Sequence, residues 1–425
     1  MIYDAIIIGA GQAGLAAGYY LRQTGLRFLI LEAGSELGGS WPYFYDSLLL
    51  NTPTRYSSLP GMPFPGQPDH YPDKDEVAAY LRSYAVHFSL PIVTGAKVTN
   101  IERVGQHFHL TTNGKALYET HTVVAATGFF GQPYLPSLPG QAHYRGQLMH
   151  MATYHSPEPF RRQRVVIVGG ANAAVQIGVE LAQVAQVTLA TRSPIRYMPQ
   201  HILGRDIHFW LKVTGLDHTQ WLGDQSTPVY DTGKYRAAIT AGRPDQRAMF
   251  KSFTEDGVIW SDGSHEAVDA VIFATGYRPN LPYLAGLGAL DKAGRVLQRD
   301  GVSLTVPGLY YVGLPRQRTA ASATLRGVGA DAKVVVAHLR QYSPVQRRGS
   351  RTATGTVVVS PQPQWLSRGG ELIGYISLIT LAFKQQLASH KLAAPRLMGE
   401  ALAHSLVVGA GFLGFGHAAE LYARS

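Results

Sequence analysis

Ala5-Ile6-Ile7-Ile8-Gly9-Ala10-Gly11-Gln12-Ala13-Gly14, followed by Leu15 to Thr24, decides the fold. The apolar run at its start is of the kind buried on both faces of a parallel sheet. It opens into a glycine turn and then a helix that ends near Gly25, after which Arg27 to Leu31 reads as a second strand with Glu32 at its end. Gly9 permits the tight bend, Gly11 lets backbone approach a pyrophosphate, and Gly14 lets helix and strand pack closely. The helix N-terminus, with Gln12 and Ala13, then faces the phosphates. Glu32 stands 23 residues after Gly9, where a carboxylate accepts from both ribose hydroxyls of a dinucleotide. The alternative is a glycine turn that serves only the fold.

The plan recurs further along. Arg164 to Val168 is a strand, Gly169-Gly170-Ala171-Asn172-Ala173-Ala174 a small-residue turn, Val175 to Gln183 a helix, and Val187 to Ala190 a strand leading to Thr191-Arg192. Arg192 lies 23 residues after Gly169, at the same offset as Glu32, and a guanidinium there can hold a 2′-phosphate in a fork. A solvated surface arginine is the other reading. Gly169, Asn172, Ala173 and Arg192 are the expected coenzyme-binding positions. Ala171 departs from the pattern, because its methyl group sits where a second glycine would admit a pyrophosphate. Each unit is closed by an apolar strand running into Ala-Thr-Gly, first at Thr127-Gly128 and again at Thr275-Gly276. Two such units, one ending in an acid and one in an arginine, point to FAD in the first and NADPH in the second.

The expected class is therefore α/β, with two Rossmann-like dinucleotide-binding domains built as three layers on parallel sheets, and a C-terminal extension. Residues 1–150 form the first part of the FAD-binding domain, 151–275 the NADPH-binding domain and 276–340 the return segment of the first. Pro133, Pro136, Pro139 and Gly140 mark an extended connection that serves as a hinge. Asn51 to Pro72, rich in Pro, Gly and Tyr, reads as an ordered irregular insertion.

The net charge of +10 raises nucleic acid or an anionic surface as partners. Residues 341–425 hold eight Lys and Arg against three acids, so about half of the excess is confined there, and no basic run interleaved with aromatics lies outside it. Nucleic acid is not expected. Leu397 to Gly416 has about the length a bilayer requires, but Glu400, His404 and glycines interrupt it, and an amphipathic appendage or a poorly ordered extension is expected instead of a membrane anchor. The absence of cysteine excludes disulfides, Cys-based metal sites and a redox-active Cys pair; no metal is expected. The chain opens directly on a strand without a basic leader, and a cytoplasmic location is expected.

Gly38-Gly39-Ser40-Trp41, and then Tyr144 to Tyr154 with Gly146, His150 and Tyr154 in the pattern FxGxxxHxxx-aromatic, resemble the flavin-containing monooxygenase family. Tyr144 replaces the usual Phe. The resemblance covers residues 1 to about 340, and Ala323 to Ala332 looks most like the bacterial CzcO-like members. It implies that Gly38, Gly39 and Trp41 help to hold FAD, and that Gly146, His150 and Tyr154 form a hinge motif. Gly327 to Asp331 start a last helix whose N-terminal N–H groups can stabilise negative charge on reduced flavin, with Leu325 and Gly329 as cofactor-binding positions; an ordinary capped core helix is the other reading. Asn51, in Leu50-Asn51-Thr52-Pro53, takes the place of a family Asn near flavin and nicotinamide, a candidate catalytic residue whose amide stabilises a flavin C4a-(hydro)peroxide; its other reading is a turn cap before Pro53.

The expected activity is that of an FAD- and NADPH-dependent monooxygenase, in which O2 and a small-molecule substrate, a soft nitrogen or sulfur nucleophile or a carbonyl compound, are the reactants. A homodimer is left open. Two further readings are an NADPH oxidase or flavin reductase without oxygen transfer, and a non-catalytic flavin-binding partner protein, which Ala171 favours.

Overall fold

A computed structural model describes residues 1–218 and 228–342. Residues 1–200 and the described residues from 215 onward form one compact unit. Its first strand, β1 (Ile2–Ile8), leads through the glycine turn into α1 (Gln12–Arg22) and β2 (Phe28–Leu31). Alternate side chains of a strand point to opposite faces, and both faces of β1 are covered. Ala5 and Ile7 enter one apolar core with Leu15 and Leu21 of α1, whereas Ile6 and Ile8 enter another with Ile101 and Leu110.

Helix α2 (Lys74–His87) follows the insertion. It is started by a reciprocal cap: Asp73 Oδ1 accepts from the Asp75 and Glu76 backbone N–H groups, and Glu76 Oε2 accepts from the Asp73 N–H. Two tyrosines of α2 order the insertion expected at 51–72. Tyr80 donates to Met62 O and accepts from Leu59 N–H, and Tyr84 donates to Pro60 O. β3 (Ile92–Val93), β4 (Val98–Val104), β5 (His107–Thr112) and β6 (Leu117–Ala125) complete this region. β3, β2, β1, β6 and the strand Leu309–Tyr311 lie side by side, all parallel, while β4 and β5 form an antiparallel hairpin beside β6.

β7 (Gln132–Pro133), β8 (Gln147–His150), β9 (Arg164–Val168), α3 (Asn172–Leu181) and β10 (Gln186–Thr191) follow. The second sheet runs Asp245–Ala248, β10, β9, Ala270–Phe273, β8, and every pair in it is parallel. β9 repeats the logic of β1, with Val165 and Ile167 in one core and Val166 and Val168 in another. The boundary expected at 150/151 falls one strand late, because β8 hydrogen-bonds to Ala270–Phe273 and so belongs to the second sheet. The chain crosses between the sheets twice, and the crossings pair as an antiparallel ribbon, Pro133 with Tyr277 and Gln132 with Arg278.

The last described helix, Leu325–Tyr342, packs on α1. Among the described residues no helix is long and apolar enough to cross a membrane. The extension from 343 onward, including Leu397 to Gly416, lies outside the described residues. A second compact unit includes His201–Thr214. By itself this stretch is a short antiparallel pair, His201–Ile202 with Arg205–Asp206, followed by a helix Ile207–Thr214 that Asp206 Oδ1 caps at His208 N–H.

Candidate functional site

The carboxyl ends of β1 and β2 open on a cavity of about 610 Å³, the position at which parallel α/β sheets bind ligands. Gly9, Gly11, Gln12, Ala13, Glu32 and Gly39 line it, as do Trp41, Thr127 and Gly128. The glycines there have different causes. Gly9 has φ +101°, and a Cβ would stand 2.7 Å from Ala126 O. A Cβ on Gly14 would stand 1.8 Å from Gly9 O, so Gly14 serves helix-to-strand packing and does not line the cavity. Gly11 differs: its φ is −74°, and a Cβ would meet only the Gly39 Cα, at 3.8 Å. Neither conformation nor packing requires glycine at this position, whereas a pyrophosphate lying against the backbone does.

Around that floor the polar groups are fixed. Glu32 Oε2 accepts from Ala10 N–H at 2.6 Å and Oε1 from Gly34 N–H at 2.8 Å, which orients the carboxylate at the cavity edge with lone pairs left over. Gln12 donates to Ala323 O at 2.7 Å and accepts from Trp41 Nε1 at 2.9 Å. α1 has no side-chain cap and no acid in its first turn, so its leading N–H groups are left to an anionic ligand. Thr127 Oγ1 and the Tyr283 hydroxyl lie 2.9 Å apart. Edge-to-face contacts join Trp41 to Phe44, Phe44 to Phe130 and Phe130 to Tyr277, with centroids 5.1–5.6 Å apart. This apolar wall was not anticipated from the sequence. Phe130 follows the Thr127-Gly128 turn closely enough to have been a signal; Tyr277, Tyr283 and Ala323 reach the cavity only through the order of the strands.

Packing or backbone partners engage Gly39 of the lining and several expected positions outside it. A Cβ on Gly38 would meet Ala78 and Pro42, one on Gly39 would stand 2.9 Å from the Gly11 Cα, and one on Gly329 would stand 2.5 Å from Pro60. Leu325 is buried in the core beneath α1. Thr275 Oγ1 donates to Tyr134 O, and Gly276 O accepts from Tyr134 N–H. These two residues clamp the ribbon.

In the second turn, a Cβ on Gly169 would stand 2.6 Å from Ala274 O, and Ala171 is the cap of α3. Asn172 is engaged by the chain itself, donating to Pro228 O and accepting from Tyr230 N–H. Ala173 is half-buried in the first turn of α3. Arg192 is exposed just past β10 and makes no ion pair among the described residues, so its guanidinium is available to an external anion. Asn51 is half-buried and outside the cavity lining. Its Oδ1 accepts from Gln176 Nε2 at 3.3 Å and its carbonyl from Gln200 Nε2 at 3.0 Å.

The segment Tyr144 to Tyr154 is structural in its details. A Cβ on Gly146 would stand 2.1 Å from the Tyr144 hydroxyl, which is buried and donates to Val268 O at 2.8 Å; burial pushes this phenol up to about 12. The Phe-to-Tyr departure thus has its own partner. Tyr154 is buried and donates to Glu180 Oε2 at 2.7 Å. His150, also buried, accepts at Nδ1 from Ala152 N–H at 3.1 Å, which puts the proton on Nε2, 2.9 Å from Gly276 O. Burial lowers its pKa, opposed by the Gly276 bond. Ala152 and Tyr277, the latter in edge contact with the His150 ring, both line the cavity.

A family model described as pyridine nucleotide-disulphide oxidoreductase matches residues 6–313. An uncharacterized CzcO-like oxidoreductase of Geobacillus kaustophilus (strain HTA426) is 36% identical over 342 residues, covering 79% of this chain and 97% of its own length. A flavin-containing monooxygenase from Stenotrophomonas maltophilia superposes with a TM-score of 0.73 at 32% identity, over 80% of this chain and 99% of that one. This chain belongs to the flavin-containing monooxygenase family. FAD and NADPH are the cofactors of that family. The cavity floor and fixed carboxylate of this flavin monooxygenase relative fit the former. The disulphide in the family description has no counterpart here, since the chain contains no cysteine. A protein of Arabidopsis thaliana named probable indole-3-pyruvate monooxygenase YUCCA1 is 30% identical, over 76% of this chain and 88% of its own length.

Proposed function

We propose that the protein is an NADPH-using flavin monooxygenase that transfers one atom of O2 to a soft nitrogen or sulfur nucleophile or to a carbonyl substrate. The observation that carries this reading is the cavity floor, where Gly11 leaves room for a pyrophosphate and both Glu32 oxygens are held by backbone N–H groups. FAD, reduced by NADPH, supplies oxygen chemistry at its C4a position when bound. The protein's own residues supply the rest. Glu32 accepts from the ribose hydroxyls and the leading N–H groups of α1 bind the pyrophosphate. Arg192 takes the coenzyme 2′-phosphate. Asn51 presents an amide donor to the reacting oxygen, and the wall of Phe44, Phe130 and Tyr277 keeps water away. In the overall balance NADPH, a proton, O2 and substrate yield NADP+, water and oxygenated substrate.

The test is to load the purified chain with FAD and follow NADPH oxidation, oxygenated product and hydrogen peroxide with an amine, a thioether, a ketone and a 2-oxo acid. The last is included because of the name of the Arabidopsis relative. One oxygenated product per NADPH with one of these classes supports the proposal. Stoichiometric peroxide with all of them leaves an NADPH oxidase. If NADPH never bleaches the flavin, no enzymatic reading survives.

A further inference from the structure

Tyr45, Leu48 and Asn51 belong to the stretch between β2 and α2, yet their side chains are held by the second sheet's elements. Tyr45 is buried in the core that contains Ile167 and Val175, with its ring 6.2 Å from that of Tyr154. Its hydroxyl donates to Gln176 Oε1 at 2.5 Å, and Gln176 Nε2 donates to Asn51 Oδ1. Gln176 stands one helical turn beyond Asn172 on α3, the helix that follows the second turn.

The direction of this relay follows from its buried end. Burial pushes the Tyr45 phenol far up, so it keeps its proton and acts as a donor. The hydroxyl's proton goes to the Gln176 oxygen, its one acceptor among the described residues, which leaves the Gln176 nitrogen for Asn51. Asn51 in turn must offer Oδ1, which leaves Nδ2, a donor without a partner among the described residues. An amide has no preferred end of its own; neighbours decide.

We propose that Gln176 is a positioning residue that fixes which end of the Asn51 amide faces the reacting oxygen, coupling the coenzyme-binding helix to the oxygen-transfer centre. The inference rests on the reading of Asn51 given above and adds the group that orients it.

The experiment compares Gln176→Glu, Gln176→Leu, Asn51→Ala and the Asn51→Ala/Gln176→Glu double variant in the FAD-loaded full chain. It reads peroxide released per NADPH oxidised across pH, together with the NADP+ dissociation constant by titration. In Gln176→Glu the protonated carboxyl can still donate to Asn51 Oδ1, whereas the ionised form only accepts and turns the Asn51 amide round. Gln176→Glu is expected to resemble the parent at low pH. Its peroxide fraction should rise about fivefold as the carboxyl ionises, the effect of losing one hydrogen bond, with a midpoint above about 4.3 because the site is half-buried. Gln176→Leu should be uncoupled at every pH and bind NADP+ within about twofold of the parent, since one lost hydrogen bond away from the phosphates leaves their contacts intact. The double variant should lose the pH dependence. If Asn51→Ala uncouples but Gln176→Glu follows the parent's profile, the inference is overturned and the reading of Asn51 stands. If Asn51→Ala leaves the peroxide fraction unchanged, both fall.

Discussion

Single side chains here separate ligand binding from folding. A methyl group at Gly11 meets nothing of the protein closer than 3.8 Å. Gly11→Ala should therefore unfold at the temperature of the flavin-stripped parent yet retain little flavin, read from the ratio of flavin to protein absorbance; full flavin occupancy would remove the pyrophosphate from this turn. Arg192→Ala should weaken NADPH about tenfold, the worth of one charge-assisted contact, and leave NADH unchanged in the same titration. Equal losses would show that Arg192 does not read the 2′-phosphate. His150 is neutral when folded, because burial draws it below its ordinary 6.5. As pH falls the unfolded chain takes up this proton first. The stabilisation is thus complete above about pH 6.5 and is lost as pH falls through the folded value. The drop in Tm between about pH 8 and about pH 5 should be smaller in His150→Gln than in the parent. Parallel slopes would mean that another group governs the acid limb.

At the level of elements, β1 and β9 were legible because each apolar run feeds two cores at once, which only a doubly covered parallel strand does. The equal offsets of Glu32 and Arg192 were legible because turn, helix and strand have fixed lengths. α2 was missed although Asp73 and Glu76 spell its capping pair, because Lys74 and Asp75 interrupt the apolar face. The contacts that Asn172 makes with the Pro228 and Tyr230 backbone, and Gly329 with Pro60, are not legible in the sequence. Such partners come from distant segments and leave no local mark. The relay through Gln176 was illegible for the same reason. Tyr144→Phe tests how β8 is held, since it removes one buried hydrogen bond to Val268 O while keeping the ring. It should cost about 1 kcal/mol in urea unfolding. Gly146→Ala, which collides with that ring, should cost more than Tyr144→Phe; the reverse order would contradict this packing.

For the whole molecule, a cavity of about 610 Å³ at the end of the first sheet makes FAD a contributor to folding. A ligand bound only by the native state adds about 2.7 kcal/mol at a hundredfold excess over its Kd. Stripping FAD should lower Tm by a few degrees, and adding it back should restore the loss in a concentration-dependent way; an unchanged Tm would show that the native chain does not bind flavin. The ribbon of Gln132–Pro133 with Tyr277–Arg278 carries a separate lesson for engineering. The chain leaves the first sheet at one strand of this ribbon and returns at the other, so the strands and helix of the second sheet can be exchanged through two splice points that lie side by side. A donor block transplanted alone would arrive without its own Tyr45-to-Asn51 strip. That strip must travel with it, or the foreign helix will meet an amide oriented for another partner.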